Sequence, residues 1–409
     1  MIVVPLGIAS ATPTITRHLP SVALWREGSI FLFDAGENAQ MRLLQAGLKR
    51  SKIDTIFISH LDIDHISGLV GLLATFQLQR REKSLRFVGP KGLKEYIDWH
   101  IQFSKLDVGY ELDFIELEEG FDHAVVVDEE EYRVEARPLK HSIFCIGYRF
   151  EEKDKPGKVD ADKAAELGIT EDDQFKTLKA GESLTLSDGT AVKPSDIVGH
   201  PRPGDSFAYI TDTEYCPEAV KLATNANILY HEATFGENLE DKASMNGHST
   251  ASDAARVATE AQAKLLVIGH FSARYTNPFI LLKEAREKFF PTWLATELRP
   301  IYTDPAHEKG VVQAKVVLKE LNEKDDKKSY SKGGNRGGGN FRPRKKRMNS
   351  DRGQRRDGGG YKSRGEYNRP NREDGRSTSG RSSDRNRESG SHEHKPITPR
   401  PRYDDYDRF

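Results

Sequence analysis

Two histidines and two aspartates lie within six residues of one another in one short segment: His60, Asp62, Asp64 and His65. Neutral imidazole nitrogens and carboxylate oxygens are both good ligands for zinc, manganese and iron. The segment therefore predicts a metal site. A plainer interpretation also stays open at this point, in which Asp62 or Asp64 caps a helix and both histidines are solvated.

The sequence on either side places this cluster at a turn between a strand and a helix. Residues 53–58 are apolar and β-branched, which predicts a buried strand, and residues 66–78 have the apolar pattern of a helix. In proteins with parallel α/β sheets, binding and catalytic sites form in the turns at the ends of the strands. Other histidines and carboxylates also follow predicted strands or open a predicted helix: His141 after 132–138, Asp212 after 207–211, Glu232 after 228–230, His270 after 265–268, and His248 at the start of 247–261.

Charge divides the 409-residue chain into an acidic body and a basic C-terminal tail. Residues 323–409 contain 25 Lys+Arg and 14 Asp+Glu, or +11; subtraction from the totals of 62 and 63 leaves 37 and 49, or −12, for residues 1–322. The tail is rich in Gly, Arg, Ser and Asn and poor in large apolar side chains, so we predict that it is disordered. Arginine-rich segments attract phosphates without sequence preference, which predicts RNA as a partner of the tail. The alternative is a solvating tail without a ligand.

Cysteine content and hydropathy bear on the compartment. The chain has two cysteines, Cys145 and Cys216, too few for a disulfide framework in a chain of this length. The sequence has neither a signal-peptide pattern at its start nor an apolar run of membrane-spanning length. We therefore expect a cytoplasmic protein without a membrane partner.

The segment 59–69 resembles the HxHxDH signature of the metallo-β-lactamase superfamily, with Asp62 in place of the second histidine. The segments 231–234 (HEAT), 247–251 (GHSTA) and 269–275 (GHFSARY) narrow the resemblance to the tRNase Z (ribonuclease Z) family, over about residues 1–305. This resemblance implies an α/β fold, the αββα sandwich of two mixed sheets. It also implies an endonuclease that removes the 3′ trailer from precursor tRNA and leaves a 3′-hydroxyl, acting as a homodimer.

The same resemblance assigns roles to the candidate residues. It implies a first metal ion held by His60, Asp62 and His141, a second held by Asp64, His65 and His270, and Asp212 as a bridge between them. Zinc is the metal implied by the family, and the anionic ligand Asp62 shifts the preference towards manganese or iron. Two adjacent cations can activate water and hold a phosphodiester oxygen. The resemblance further implies that Asp64 acts as general base and that His248, paired with Glu232, donates a proton to the leaving oxygen.

Two other segments resemble parts of the family that contact RNA. Residues 151–203 are polar and resemble the protruding arm that grips the tRNA elbow, with a helix predicted only over 160–167. Residues 13–18 resemble a PxKxRN pattern, in which Pro13 and Arg17 match. These features predict a nuclease domain over residues 1–322 that includes the arm, followed by the tail 323–409.

Two rival functions are compatible with the sequence. The first is a superfamily phosphodiesterase that acts on a small or cyclic nucleotide, which would need neither an arm nor a basic tail. The second is a catalytically inactive RNA-binding module, an interpretation motivated by Asp62. Metal content and turnover separate these possibilities.

Overall fold

A computed structural model describes residues 1–186 and 188–303 of the chain. The predicted tail 323–409 and its boundary with the nuclease domain lie outside these residues. The described chain contains two seven-stranded sheets, a two-stranded hairpin and short helices packed around them. No helix in this part of the chain is both long and apolar enough to cross a membrane.

The first sheet is antiparallel at one end and parallel at the other. Its strands, in spatial order, are β16 (Ile301–Tyr302), β1 (Ile2–Gly7), β2 (Ser21–Arg26), β3 (Ser29–Phe33), β4 (Ile53–Phe57), β5 (Leu85–Pro90) and β6 (Leu112–Leu117). The second sheet has the same mixed character. Its strands are β15 (Thr292–Leu294), β14 (Leu266–Gly269), β13 (Ile228–Glu232), β12 (Ser206–Ile210), β9 (Cys145–Glu152), β8 (Tyr132–Leu139) and β7 (Ala124–Asp128).

The helices connect and cover the sheets. Those before the second sheet are α1 (Ala39–Gln45), α2 (Ile63–Ile66), α3 (Leu69–Leu78) and α4 (Leu93–Ser104). Those of the predicted arm are α5 (Ala161–Glu166), α6 (Asp172–Lys179) and α7 (Pro194–Ile197), with the hairpin β10 (Leu184–Thr185) and β11 (Ala191–Val192) between the last two. The remaining helices are α8 (Pro217–Ala223), α9 (Glu240–Met245), α10 (Ala251–Glu260) and α11 (Phe279–Lys288).

The strand β3 shows why the chain forms four layers. Successive side chains of a strand point to opposite faces, and this strand is apolar on both. Phe31 and Phe33 belong to the core between the sheets, where they contact Phe150 and Phe207 at ring-centroid distances of 4.8 and 5.3 Å. Ile30 and Leu32 face the other way, into a second core with α1, α3 and α4. With α8, α10 and α11 against the other sheet, the predicted αββα sandwich is confirmed.

The arm contains more regular structure than the sequence predicts. The predicted helix 160–167 is present as α5, whose first turn is capped by the Asp160 side chain accepting from the Lys163 amide. The helices α6 and α7 and the hairpin β10–β11 are not predicted. Five buried side chains hold these pieces together as a small separate core: Ala164, Ile169, Leu178, Val192 and Ile197.

One predicted helix is interrupted. The pattern 66–78 predicts a single helix, but the structure has α2 and α3 with Ser67 and Gly68 between them. The backbone of Gly68 packs against the carbonyl oxygens of Ala35 and Gly36, and its amide donates to the Ala35 carbonyl. A side chain at position 68 would therefore collide with the chain that follows β3.

Candidate metal centre

The candidate residues meet along one edge of the sandwich because the strands that carry them end there. His60 follows β4, His141 follows β8, Asp212 follows β12 and His270 follows β14. The carboxyl ends of parallel strands form the usual binding edge of α/β sheets. The helix α2, which begins directly after β4, carries Asp64 and His65 into the same space.

At three positions along this edge the backbone has a positive φ angle, which residues other than glycine rarely adopt. Asp34 after β3, Asp212 and His270 have φ angles of 55°, 35° and 57°. A left-handed conformation at a residue other than glycine costs roughly 1–3 kcal/mol and persists where the surrounding structure enforces it. The three positions therefore mark a part of the chain whose geometry is held against its local preference.

The first group of predicted ligands comes together at the mouth of the site. The Nε2 atom of His60 lies 3.7 Å from Oδ2 of Asp62, and the Nε2 atom of His141 lies 3.9 Å from the same oxygen. The two imidazoles are buried, whereas the Asp62 side chain is 50% exposed. Asp62 precedes α2 at its N-cap position, but its side chain makes no capping hydrogen bond. The helix-cap interpretation therefore does not describe this residue.

The second group lies deeper. The Nε2 atom of His65 is 3.5 Å from Oδ2 of Asp64, and a donor atom of His270 lies within 4.8 Å of both residues. His65 is fully buried and His270 nearly so. His60 and His65, the two histidines of the plainer interpretation, are both fully buried, so its second half fails as well.

Asp212 occupies the space between the two groups. Its Oδ1 atom lies 3.1 Å from Nε2 of His270 and 3.5 Å from Nε2 of His65, and its Oδ2 atom lies 3.6 Å from Nε2 of His60. A carboxylate whose two oxygens face different imidazoles has the geometry of a shared ligand. Asp212 does not cap the following helix, because Cys216 holds the N-cap position of α8.

The residues present fit divalent metal ions. The Nε2 atoms of His60, His65 and His270 are buried and have no hydrogen-bond partner among the described residues. Buried polar atoms in proteins are almost always paired, so three convergent exceptions indicate that the atoms serve another bond. The Nδ1 atoms of the four candidate histidines each have a hydrogen-bond partner on the side away from the centre. In the order His60, His65, His141 and His270, these partners are Ser59, Asp34, the Gly247 carbonyl and Thr234. This arrangement is typical of metal-binding histidines.

The electrostatics of the cluster also favour a cation. Burial would raise the pKa of Asp212, but the imidazoles of His270, His65 and His60 outweigh it and hold this pKa well below its usual range. Burial and the facing His65 lower the pKa of His60 to about 4, which keeps its imidazole neutral. Burial opposes protonation of His65 too, but Asp212, Asp64 and Asp34 raise its pKa. Such a concentration of anionic charge attracts either a proton or a metal ion.

A histidine and a glutamate stand beside this centre. The Nδ1 atom of His248 lies 2.9 Å from Oε1 of Glu232, which is fully buried, and 4.0 Å from Oδ2 of Asp212. Burial lowers the pKa of His248, but the Glu232 carboxylate more than compensates and raises it to about 9. The protonated imidazole is therefore favoured, although cations bound nearby would oppose it.

Arg17 has a different role from the one that its motif suggests. Its resemblance to the RNA-contacting pattern implies an exposed cation, yet the residue is buried. One guanidinium nitrogen, Nη2, donates to the carbonyl oxygens of Tyr275 at 2.7 Å and Ser272 at 3.4 Å. Arg17 thus ties the loop after β1 to the loop that carries His270.

Other histidines and both cysteines lie outside the set of candidate ligands. His18, His100 and His123 have ordinary partners in Glu297, the Tyr96 carbonyl and Glu135, and His200 is exposed. Cys145 and Cys216 are both free, as expected. The sequence analysis did not identify Ser59, Thr234 or Tyr209, which hydrogen-bond around the cluster. In the sequence, only their position beside the histidine and aspartate motifs, or in the adjoining strand, could have indicated this role.

Comparisons with known proteins agree with this fold and cluster. A family model described as "Anti-Pycsar protein Apyc1" matches residues 1–145. A protein of Salinibacter ruber named Ribonuclease Z is 41% identical over 308 residues, which are 75% of this chain and 96% of that protein. The chain belongs to the ribonuclease Z family. A second ribonuclease Z, from Prochlorococcus marinus, is 39% identical over 300 residues, 71% of this chain and 96% of the relative.

Solved structures give the same result. The crystal structure of human tRNase Z, short form, has a TM-score of 0.55 and 27% sequence identity to this chain. The match covers 74% of this chain and all of the human chain. The ribonuclease Z family fold therefore accounts for the described body, and its His/Asp cluster indicates divalent metal binding.

Proposed function

We propose that the protein is a metal-dependent endoribonuclease that cleaves precursor tRNA and removes the 3′ trailer to leave a 3′-hydroxyl. The observation that carries this proposal is the set of three buried, unpaired Nε2 atoms around Asp212, with the His248–Glu232 pair beside them. Membership of the ribonuclease Z family supports the substrate class. Neither rival function is favoured, because the family match extends through the arm and over the whole body.

The proposed ligands form two sets that share Asp212. His60, Asp62 and His141 would hold one divalent ion, and Asp64, His65 and His270 a second, with zinc as the metal expected from the family. When bound, such a pair of cations supplies an activated water and a clamp on the phosphodiester oxygens. Asp64 accepts a hydrogen bond from the Ala11 amide at 3.0 Å, which fixes a carboxylate able to orient the attacking water and accept its proton.

His248 is the proposed proton donor to the departing 3′ oxygen. The Nδ1 atom of this imidazole is occupied by Glu232, so its other nitrogen is left for the substrate side. Glu232 also accepts from the amides of Thr213 and Thr234, which fix the orientation of its carboxylate. His248 therefore reaches the leaving group from a rigid support rather than from a mobile loop.

The test of this proposal is cleavage of a precursor tRNA with a 3′ trailer by protein loaded separately with zinc, manganese or iron. We expect a single cut at the 3′ end of the mature tRNA and two metal ions per chain. Bound metal without tRNA cleavage, combined with hydrolysis of a cyclic nucleotide, would favour the small phosphodiesterase. RNA binding without metal would favour the inactive module.

Asp62 is expected to set the metal preference of the more exposed site. Replacing Asp62 with histidine removes one negative charge and supplies a softer ligand, so the affinity for zinc relative to manganese should rise by about tenfold or more. Competition between the two metals, followed by metal analysis, measures this ratio. Asp62→Asn, which removes the charge without adding an imidazole, is the control. An unchanged ratio in Asp62→His would contradict the assignment of Asp62 as a ligand.

We propose that the basic tail, residues 323–409, binds RNA and compensates for the charge of the rest of the chain. The arm, residues 151–203, contains 8 Lys+Arg and 12 Asp+Glu, a net of −4, and the body as a whole carries −12. A polyanion is repelled by such a surface at long range. The tail, at +11, supplies the opposite charge.

Removing the positive charge of the tail should weaken substrate binding without changing the cleavage site. In a full-length variant with every Lys and Arg of residues 323–409 replaced by Gln, we expect KM at low salt to rise by about tenfold or more and to depend less on salt. Deletion of residues 323–409 should have the same effect, and kcat should stay unchanged. A Michaelis constant that is unchanged at low salt in both variants would show that the tail does not tether RNA.

Other parts of the proposal concern assembly and location. We propose a cytoplasmic homodimer that uses α1 and α3 as its contact surface. These helices pack side by side through Gln40 and Thr75 and expose Met41, Leu44 and Leu78. Exposed apolar side chains on two packed helices favour a contact with a second copy of the chain. A particle of one chain's mass by light scattering would contradict the dimer.

A further inference from the structure

Two imidazoles of the candidate centre face hydroxyl groups from behind. The Nδ1 atom of His60 lies 2.9 Å from the Ser59 Oγ atom, and the Nδ1 atom of His270 lies 2.9 Å from the Thr234 Oγ1 atom. A hydroxyl can donate or accept, so it does not by itself decide which ring nitrogen carries the proton. The deciding group must stand behind the hydroxyl.

A buried carboxylate occupies that position in both cases. The Ser59 Oγ atom lies 2.8 Å from Oδ2 of Asp34, and the Thr234 Oγ1 atom lies 2.6 Å from Oε2 of Glu232. An ionised carboxylate only accepts, so each hydroxyl directs its proton to the carboxylate and accepts from the imidazole Nδ1–H. Thr234 also lies 3.0 Å from the His270 carbonyl, but the shorter bond to a charged oxygen is the stronger one.

The two carboxylates are surrounded by donors in matching ways. Each accepts a hydrogen bond from the amide of the hydroxyl residue, a direct bond from a second imidazole, and a bond from one further residue. For Asp34 these donors are the Ser59 amide, His65 and the Tyr209 hydroxyl; for Glu232 they are the amides of Thr234 and Thr213 and the ring of His248. Both carboxylates are thus saturated with donors and need no proton of their own.

We infer that Ser59 and Thr234 are positioning residues that fix His60 and His270 in the Nδ1–H tautomer, so that both Nε2 lone pairs face the metal centre. We call each pair of a hydroxyl and its carboxylate a relay. The relay through Ser59 stands behind His60 of the first proposed metal site, and the relay through Thr234 stands behind His270 of the second. Asp34 orients His65 directly and His60 through Ser59. Glu232 orients the proton donor His248 directly and His270 through Thr234. The inference rests on the proposed metal centre, and it adds that two hydroxyls set the availability of two of its ligands.

The test compares Thr234→Val, which keeps the shape and removes the hydroxyl, with Thr234→Ser, which keeps the hydroxyl. In zinc-loaded protein with ¹⁵N-labelled imidazoles, the Nδ1–H proton of His270 should exchange slowly with solvent in wild type and in Thr234→Ser. It should exchange faster in Thr234→Val, because no hydroxyl accepts from it. Competition with a chromogenic chelator should show the affinity for one bound zinc falling about 10–100-fold in Thr234→Val and less than about threefold in Thr234→Ser.

Ser59→Ala provides the same measurement at the other carboxylate, with His60 as the ring that changes. Thermal unfolding of each variant separates loss of the fold from loss of the hydroxyl's hydrogen bond. If wild-type protein binds no divalent metal, the proposed metal centre itself is contradicted. If wild type binds metal and both Thr234→Val and Ser59→Ala keep its affinity and the slow exchange of the Nδ1–H proton, only the roles of the two hydroxyls are overturned.

Discussion

Replacing Asp212 with alanine is expected to lower kcat/KM for precursor tRNA by about 10³-fold or more and to reduce bound metal from two ions per chain to one or fewer. The carboxylate of Asp212 faces the Nε2 atoms of His60, His65 and His270 within 3.6 Å. Its removal takes a ligand from both proposed sites and withdraws the negative charge that offsets two cations. Metal analysis of dialysed protein and steady-state kinetics measure the two effects together.

A matched control for this variant is Asp98→Ala. Asp98 is a half-exposed carboxylate on α4 that pairs with Lys94, so its loss changes the net charge equally but leaves the metal centre intact. We expect wild-type metal content and activity from it. Two ions bound with wild-type affinity in Asp212→Ala would contradict the bridging role.

Replacing His248 with glutamine is expected to lower kcat by about 10²–10⁴-fold, the usual contribution of a positioned general acid, while metal content stays at the wild-type level. The variant keeps a side chain that can hydrogen-bond to Glu232 but cannot deliver a proton to the leaving oxygen. The loss should therefore depend on how much the leaving group needs that proton.

A substrate with sulfur in place of the bridging 3′ oxygen makes this dependence measurable. A thiolate leaves without protonation, so the deficit of His248→Gln should shrink towards wild type on this substrate. The deficit of Asp212→Ala should remain, because its cause lies in the metal centre. An equal deficit on oxygen and sulfur substrates would assign His248 to binding or to support of the centre instead of proton donation.

The sequence, through its resemblance to the ribonuclease Z family, was sufficient for the fold class and for the residues that meet in the centre. Each candidate side chain stands directly after an apolar strand or at the start of a helix, so the end of the element fixes its place. Parallel strands then bring these ends to one edge. These strand ends explain why His141, Asp212 and His270, far apart in the chain, lie together as the resemblance implies.

The features that were not predictable depend on contacts between distant segments. The break before α3 exists because Gly68 packs against the backbone after β3. Arg17 carries a motif typical of RNA contact, but its guanidinium is used by carbonyl groups more than 250 residues later in the chain. The hydroxyls of Ser59 and Thr234 belong to common residue types whose partners are carboxylates of other segments. No local pattern encodes such partners.

The structure of the arm also depends on contacts between separate segments, which the sequence does not reveal. Its five buried side chains come from scattered positions and form a core that shares no buried residue with the two cores of the body, within the part of the chain that the structure describes. Substitutions or length changes beyond Glu152, the last residue of β9, therefore leave the two cores of the body untouched. The segment 153–203 could be exchanged for that of a relative while the metal centre keeps its supports.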